Sequence, residues 1–121
     1  MTKKFVFTGS EVVQEFETEP VSGCVVAGKV RLVSRPTVTK FYSPGGEFEQ
    51  IKAKQGTEYA EATFVARNIV SWNIEDTEGK IVAPTPEIVT LLPERVYNQL
   101  VAFILGTYSD PFKKKSEPSS N

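Results

Sequence analysis

Two groups of closely spaced carboxylates are the strongest candidates in this sequence for metal binding or acid–base catalysis. The groups are Glu15, Glu17 and Glu19, and Glu75, Asp76 and Glu78. Such carboxylates can hold a divalent cation or act as a general acid and base. Alternation with apolar residues places the first group on the outer face of a predicted strand, and the second group lies in a predicted turn. Because runs of charge usually coat a protein surface, we expect solvated carboxylates rather than a metal or catalytic site.

Nucleophilic catalysis is disfavoured by what the sequence lacks. The chain contains no histidine, so it cannot build a Ser-His-Asp or Cys-His arrangement. A G-x-S-x-G elbow is absent, and Gly79-Lys80 is followed by Ile81 without the glycine spacing of a phosphate-binding loop. The sequence therefore predicts a protein that is not an enzyme, with no catalytic, metal or cofactor site.

The single cysteine, Cys24, excludes an intramolecular disulfide. It begins the apolar run Cys24-Val25-Val26-Ala27, and free cysteines in such surroundings are usually buried. We therefore predict a buried structural thiol.

The balance of charge argues against a polyanionic partner. The chain has 14 Lys and Arg against 15 Asp and Glu, a formal net charge of -1. No global field attracts a phosphate backbone or an anionic membrane. We expect neither nucleic acid nor membrane as a partner.

Strand patterns dominate the first third of the chain. Residues 4–8 and 12–18 alternate between apolar and polar side chains, although Val12 and Phe16 also suit a helix. Residues 29–35 give the clearest alternation, and Pro36 ends it. These segments predict a small antiparallel sheet.

Helix patterns dominate the second half, beyond the break at residues 43–46. Thr57 is a candidate N-cap for a helix, although residues 58–69 also fit a strand. Residues 70–82 suggest a hairpin in which Val70, Trp72 and Ile74 share one face and residues 76–79 form the turn. Thr85-Pro86 predicts a helix start, and a final helix runs from Pro93 to a glycine cap at Gly106.

Together these segments predict an α+β fold, with an N-terminal antiparallel sheet and a helical C-terminal half packed on it. The 121 residues suffice for one domain, which we assign to residues 1–107. Residues 108–121 are rich in Lys, Ser and Pro and predict a disordered polar tail. The apolar run near the N-terminus is shorter than a secretory signal requires, so we expect a soluble intracellular protein.

The last helix carries a wide apolar face that must bury against something. We expect most of this face to be buried in the hydrophobic core. Any part of it that stays exposed would be a binding surface for another protein. Trp72 is the only tryptophan, and we expect it to fix the hairpin to the last helix. The candidate protein-binding residues are Trp72, Val96, Tyr97, Leu100, Phe103 and Ile104.

Residues 64–80, 84–87 and 91–100 resemble a known family. They contain, in order, a Trp72-Asn73 pair followed by a hydrophobic and an acidic residue, a turn with Gly79, a helix start at Thr85 and a final helix reached through Leu92-Pro93. This order is similar to that of the small tail assembly chaperones encoded among the tail genes of tailed bacteriophages and prophages. The resemblance covers about a third to two fifths of the chain.

The resemblance implies a non-enzymatic role in tail morphogenesis. Proteins of this family hold an aggregation-prone tail protein, such as the tape measure, while the tail is built. The resemblance also implies a tail protein as partner, and the host cell cytoplasm or the virion as location. Whether the chain forms a homo-oligomer is left open by the sequence. A structural virion subunit and a small phage inhibitor of a host protein are the alternatives.

Overall fold

The computed structural model of this chain describes residues 6–8 and 11–108. Its strands are β1 (Val6–Thr8), β2 (Glu11–Glu17), β3 (Ala27–Leu32) and β4 (Ile69–Trp72). Its helices are α1 (Arg35–Tyr42), α2 (Glu47–Gln55), α3 (Thr57–Arg67), α4 (Pro86–Thr90) and α5 (Glu94–Leu105). The predicted α+β class is confirmed, with three strands first and the helices following.

The ends of the chain fall partly outside this description. Residues 4 and 5 of the first predicted strand and residues 109–121 of the predicted tail lie outside the described residues. Tyr108, which was assigned to the tail, belongs to the folded part, because its ring stacks on Phe103 with 4.1 Å between the ring centroids. Within residues 6–8 and 11–108, no helix has the length and apolarity needed to cross a membrane.

The four strands form an antiparallel sheet in the order β1-β2-β3-β4. Phe16 and Thr18 are buried, whereas Glu15 and Glu17 are exposed, as the alternation in β2 predicts. Residues 11–17 are a strand, so the helix alternative for this segment is wrong. In β3, Val30 is fully buried and Lys29 is exposed.

An irregularity in β4 changes which residues face the core. The register between β3 and β4 shifts at Lys29 and Val30, which leaves one extra residue on the β4 side. Ile69 and Trp72 are each 5% exposed, whereas Val70 is 42% exposed. The prediction that Val70 shares an inward face with Trp72 is therefore wrong, because a strict alternation cannot pass through a bulge.

Residues 57–67 are a helix, which decides the choice left open for residues 58–69. The start differs from the prediction: Gly56, with φ +97°, is the N-cap, and Thr57 is the first helical residue without a capping hydrogen bond. Asn68 ends the helix, since its side-chain amide donates to the carbonyl of Phe64 over 2.8 Å. One residue later the chain enters β4.

Helices α1 and α2 are not anticipated by the sequence patterns. Pro36 does end the β3 segment, but it also occupies the first turn of α1, which Ser34 caps by accepting a hydrogen bond from the amide of Thr37. Helix α2 buries no residue fully, so it has no strong apolar period.

Cys24 is exposed, so the predicted buried thiol is wrong. It closes a tight turn in which Val21 and Cys24 exchange two backbone hydrogen bonds of 2.8 and 3.0 Å. The turn needs positive φ angles at Ser22 (+54°) and Gly23 (+80°). The apolar run therefore starts at the tip of a turn, where the side chain of its first residue meets solvent.

The predicted caps of the last two helices are confirmed. Thr85 accepts a hydrogen bond from the amide of Ile88 at the start of α4. Gly106 ends α5 in the left-handed conformation with φ +72°. Helix α5 lies against the sheet, because the amide of Val33 donates to the carbonyl of Ile104 and the rings of Phe16 and Phe103 are 5.4 Å apart.

Candidate functional site

Five of the six predicted protein-binding residues lie in the hydrophobic core. Trp72, Val96, Leu100, Phe103 and Ile104 are each at most 7% exposed and belong to one buried cluster. Their surfaces are already covered by the sheet and by the other helices, so in this conformation they offer little area to a partner. The sixth, Tyr97, is only partly buried.

The Trp72-Asn73 pair, which carries the resemblance, makes structural contacts. The indole N–H of Trp72 donates to the carbonyl of Val82 over 2.6 Å and so fixes the 74–82 hairpin. The side chain of Asn73 accepts from the amide of Ala27 and donates to the carbonyl of Val25, at 3.0 and 3.1 Å. This side chain thereby extends the pairing of β3 and β4 by one residue.

A second face of α5 lines an open cavity of about 390 Å³. The helical spacing of Tyr97, Val101 and Leu105 places them one above another, beside the core-facing residues. Helix α3 forms the opposite wall, and the end of α1 closes one side. The apolar lining residues are Val38, Phe64, Val65, Val101, Ile104 and Leu105, and the polar ones are Tyr42, Glu61, Tyr97 and Asn98.

A second cavity of about 390 Å³ continues from the first, between α3, α4 and the start of α5. Glu61, Tyr97 and Asn98 line both cavities. The further lining residues of the second cavity are Glu58, Ala62, Val89, Thr90, Leu92 and Glu94. We call the two cavities together the α3–α5 groove.

Two of the most exposed apolar side chains line this groove, and a third lies next to it in the chain. The most exposed large hydrophobic residues among the described side chains are Tyr42, Val70, Ile81, Leu91 and Leu105. Tyr42 and Leu105, 42% and 41% exposed, line one end of the groove. Leu91, 78% exposed, lies between two residues that line the other end. Exposed apolar area around a concavity is typical of a protein-binding surface.

An aromatic cluster holds Tyr42 at the edge of the groove. Its ring lies 4.9 Å from Phe41, 4.8 Å from Phe48 and 5.6 Å from Phe64, measured between centroids. The guanidinium of Arg67 lies over the ring of Phe41, 5.8 Å from its centroid. Because four rings from α1, α2 and α3 pack together, the position of Tyr42 depends on all three helices.

The charged side chains that line the groove are all acidic. They are Glu58, Glu61 and Glu94, and no lysine or arginine lines either cavity among the described residues.

The two phenols that line the groove, Tyr42 and Tyr97, both have raised pKa values, to which the charge of Glu61 contributes. Burial raises the pKa of Tyr97 to about 12, with smaller contributions from the charge of Glu61 and from Tyr42. Burial, followed by Glu61, also raises the pKa of Tyr42. Both phenols therefore stay neutral near pH 7.

The carboxylates singled out in the sequence lie elsewhere. Glu75, Asp76 and Glu78 are exposed, and Asp76 accepts hydrogen bonds from the amides of Glu78 and Lys80, at 2.8 and 3.1 Å, within its own turn. Glu19 approaches Arg95, 3.6 Å away. Over residues 6–8 and 11–108, no three Cys, Asp or Glu side chains come together in a way that could hold a metal ion.

The sequence patterns did not indicate Tyr42, Glu61 and Asn98 as protein-binding residues. Tyr42 follows a segment with no predicted element, and Glu61 lies in sequence between the buried residues Ala60 and Ala62. A charged residue between two small apolar ones is the one signal that could have marked it.

Comparisons with known proteins identified no relative of this chain. A scan against protein-family models, a search of curated protein sequences and a search of solved structures each found no match, so the resemblance to tail assembly chaperones stays a prediction.

Proposed function

We propose that this chain is a non-enzymatic protein-binding module of phage tail morphogenesis, which holds a helical segment of a tail partner such as the tape measure. The α3–α5 groove is the observation that carries this proposal. It combines an apolar floor with exposed rim residues, and its opening leaves room for side chains from another protein. Part of the apolar face of α5 thus remains uncovered by the rest of the fold.

The walls of the groove favour a helical partner. Both walls are helices, whose backbone N–H and C=O groups bond within the helix. An extended peptide would find few backbone groups to pair with there and would leave its own unsatisfied. A helix satisfies its backbone internally and can place one apolar face into the groove.

The charge of the groove indicates the composition of that helix. Its charged lining residues are glutamates, so an acidic partner face would be repelled and a basic flank attracted. The proposed occupant is therefore an amphipathic helix with an apolar face and basic residues. The family that this chain resembles holds an aggregation-prone tail protein such as the tape measure, which is therefore the proposed source of the helix.

The non-enzymatic part of the proposal is supported by the groups in the groove. The chain has no histidine, and the two phenols that line the groove have raised pKa values. A phenol with a raised pKa is a poor base near neutral pH. Binding through apolar contacts needs no reactive group.

Co-purification with matched double variants tests the proposal. The tagged full chain is expressed together with the tape measure protein from the same tail gene cluster, and the amount of tape measure recovered is measured. L91Q/L105Q replaces Leu105, which lines one end of the groove, and Leu91, whose sequence neighbours line the other end. V70Q/I81Q makes the same kind of change at residues that neither line the groove nor adjoin a lining residue in the chain.

We expect the wild type and V70Q/I81Q to recover the tape measure, and L91Q/L105Q to bind it about tenfold more weakly or worse. Circular dichroism of each variant verifies the fold. Equal recovery by both double variants, or no recovery by the wild type, contradicts the proposal. Detection of the protein in purified virions would instead support a structural subunit, and stable capture of one host protein would support an inhibitor.

A further inference from the structure

Three polar side chains from three helices line the first cavity of the α3–α5 groove. Tyr42, Glu61 and Tyr97 line the same cavity, and Glu61 and Tyr97 also line the second one. They come from α1, α3 and α5, so only the folded chain brings them together. We call them the Tyr42–Glu61–Tyr97 cluster.

No arginine or lysine in the described part of the chain forms an ion pair with the carboxylate of Glu61. Among the described residues it takes part in no hydrogen bond or ion pair, although it is partly buried. The nearby arginines on the same helices are engaged elsewhere: Arg67 pairs with Glu47, and Arg95 lies 3.6 Å from Glu19. A partly buried carboxylate without a partner is less stable than a paired one, and a cation entering the groove would stabilise it.

The two phenols add a second attraction for a cation. Neutral phenol rings present an electron-rich face, and a cation within about 6 Å of such a face is attracted to it. Burial is the main cause of the raised pKa values of Tyr42 and Tyr97, and the negative charge of Glu61 adds to it. That negative charge, unlike burial, attracts a cation to this position.

We propose that the Tyr42–Glu61–Tyr97 cluster is a receptor for one arginine or lysine side chain, which the docked helix presents within its apolar face. This inference rests on the proposed function, because it assigns the occupant of the same groove. The apolar stem of such a side chain would lie against Val101 and Phe64, while its charged end reaches Glu61. The requirement for one basic residue would select among amphipathic helices of otherwise similar shape.

A titration with small cations tests the receptor without the natural partner. n-Butylguanidinium and n-butylammonium, as chlorides, are added separately to the isotope-labelled full chain at low ionic strength, and nuclear magnetic resonance shifts are recorded. n-Butylurea serves as the neutral isostere of the first probe. E61Q removes the proposed counterion, and E75Q makes the same charge change at an exposed residue that lines neither cavity.

We expect at least one of the two cations to give saturable shifts at Glu61 and Tyr97, and n-butylurea to give none. E61Q should weaken this binding about tenfold, whereas E75Q should bind like the wild type. Absence of saturable shifts with both cations, or equal binding by E61Q and wild type, overturns the inference.

The chain itself also carries a basic run at residues 113–115. A full-length variant with all three lysines changed to glutamine distinguishes an internal occupant from a partner. If its shifts at Glu61 and Tyr97 already differ from those of the wild type before any probe is added, the groove is filled from within and the inference is overturned. We expect no such difference.

The experiments distinguish a failure of this inference from a failure of the proposed function. If the tape measure is lost from L91Q/L105Q but binds E61Q as well as it binds the wild type, the groove binds a helix without a cation receptor. If the tape measure does not bind the wild type and n-butylguanidinium still saturates the cluster, the receptor stands and the proposed partner is wrong.

Discussion

Replacing Gly28 by alanine should destabilise this protein by about 2 kcal/mol, because β3 and β4 touch backbone to backbone there. Gly28 pairs with Trp72 across the two strands. A Cβ atom added to Gly28 would overlap the carbonyl oxygen of Ser71, and would lie 2.7 Å from its carbonyl carbon and from the Cα of Trp72. These atoms belong to the backbone of β4 and cannot swing aside as the end of a side chain could.

The expected loss of about 2 kcal/mol in the free energy of unfolding follows from the shift of β4 that an added methyl group would require. Adding a methyl group to a well-packed site costs about 1–3 kcal/mol, and a clash with backbone belongs at the upper end. Alanine also reduces the conformational entropy of the unfolded chain, which stabilises the folded protein by about 0.4–1 kcal/mol and offsets part of this cost. Strand β4 cannot retreat freely, since Trp72 is buried and its indole is bonded to the carbonyl of Val82. About 2 kcal/mol therefore remains.

Urea unfolding followed by fluorescence measures this loss directly. Trp72 is the only tryptophan and is buried, so its emission reports on the β3–β4 junction and on unfolding. Lys29→Ala, at the exposed neighbouring residue, should stay within about 0.5 kcal/mol of the wild type. If Gly28→Ala unfolds at the same urea concentration and with the same slope as the wild type, the close approach of the strands is wrong.

Three further substitutions test the core, an ion pair and a cap. Leu100→Ala should lose about 2–5 kcal/mol in urea unfolding, because Leu100 is fully buried in α5, whereas Leu91→Ala at an exposed residue should change little. The hydrogen bond from Arg67, with a smaller effect of its charge, lowers the pKa of Glu47 below its usual 4.5, so Glu47→Gln should lose less than about 1 kcal/mol at pH 7 for this half-exposed pair. Wild type and variant should converge in stability as the pH falls through that lowered pKa, because Glu47 stabilises the fold only while it is ionised; a difference that persists at pH 2 would contradict this. Thr85→Ala should lose about 1 kcal/mol in the same assay through the N-cap of α4, and an unchanged midpoint would show that the cap contributes nothing.

The strands and the last two helices could be predicted from sequence because their signals are local. Alternation in residues 12–18 reports directly on which side chains face the core, and Phe16 and Thr18 are buried as it requires. Thr85 and Gly106 act through hydrogen bonds and φ angles within a few residues. Signals of this kind need no knowledge of the rest of the fold.

The remaining features depend on contacts that are distant in sequence. Helix α2 is held by half-buried residues such as Phe48, whose ring packs on α1, and so lacks a buried stripe of its own. The outward position of Val70 follows from a register shift opposite Lys29 and Val30. A local pattern contains neither the partner strand nor the neighbouring helix.

Most of the candidate site is a tertiary feature for the same reason. Tyr97 was a candidate from sequence because it lies beside the apolar stripe of α5. Glu61 and Tyr42 become relevant only when α3 and α1 pack beside that helix. The sequence indicated a wide apolar face on the last helix, but not which polar groups would lie beside it.

The two faces of α5 separate stability from binding within one helix. Leu100 faces the core and is fully buried, whereas Leu105, five residues later, lines the groove and is 41% exposed. Removing the first should reduce the free energy of unfolding by a few kcal/mol, and replacing the second by glutamine should leave it almost unchanged. If the groove serves a partner, that second substitution should still weaken binding of the tape measure. A Leu105→Gln variant that unfolds like Leu100→Ala would place Leu105 in the core and remove the basis for a docking surface at this end of the groove.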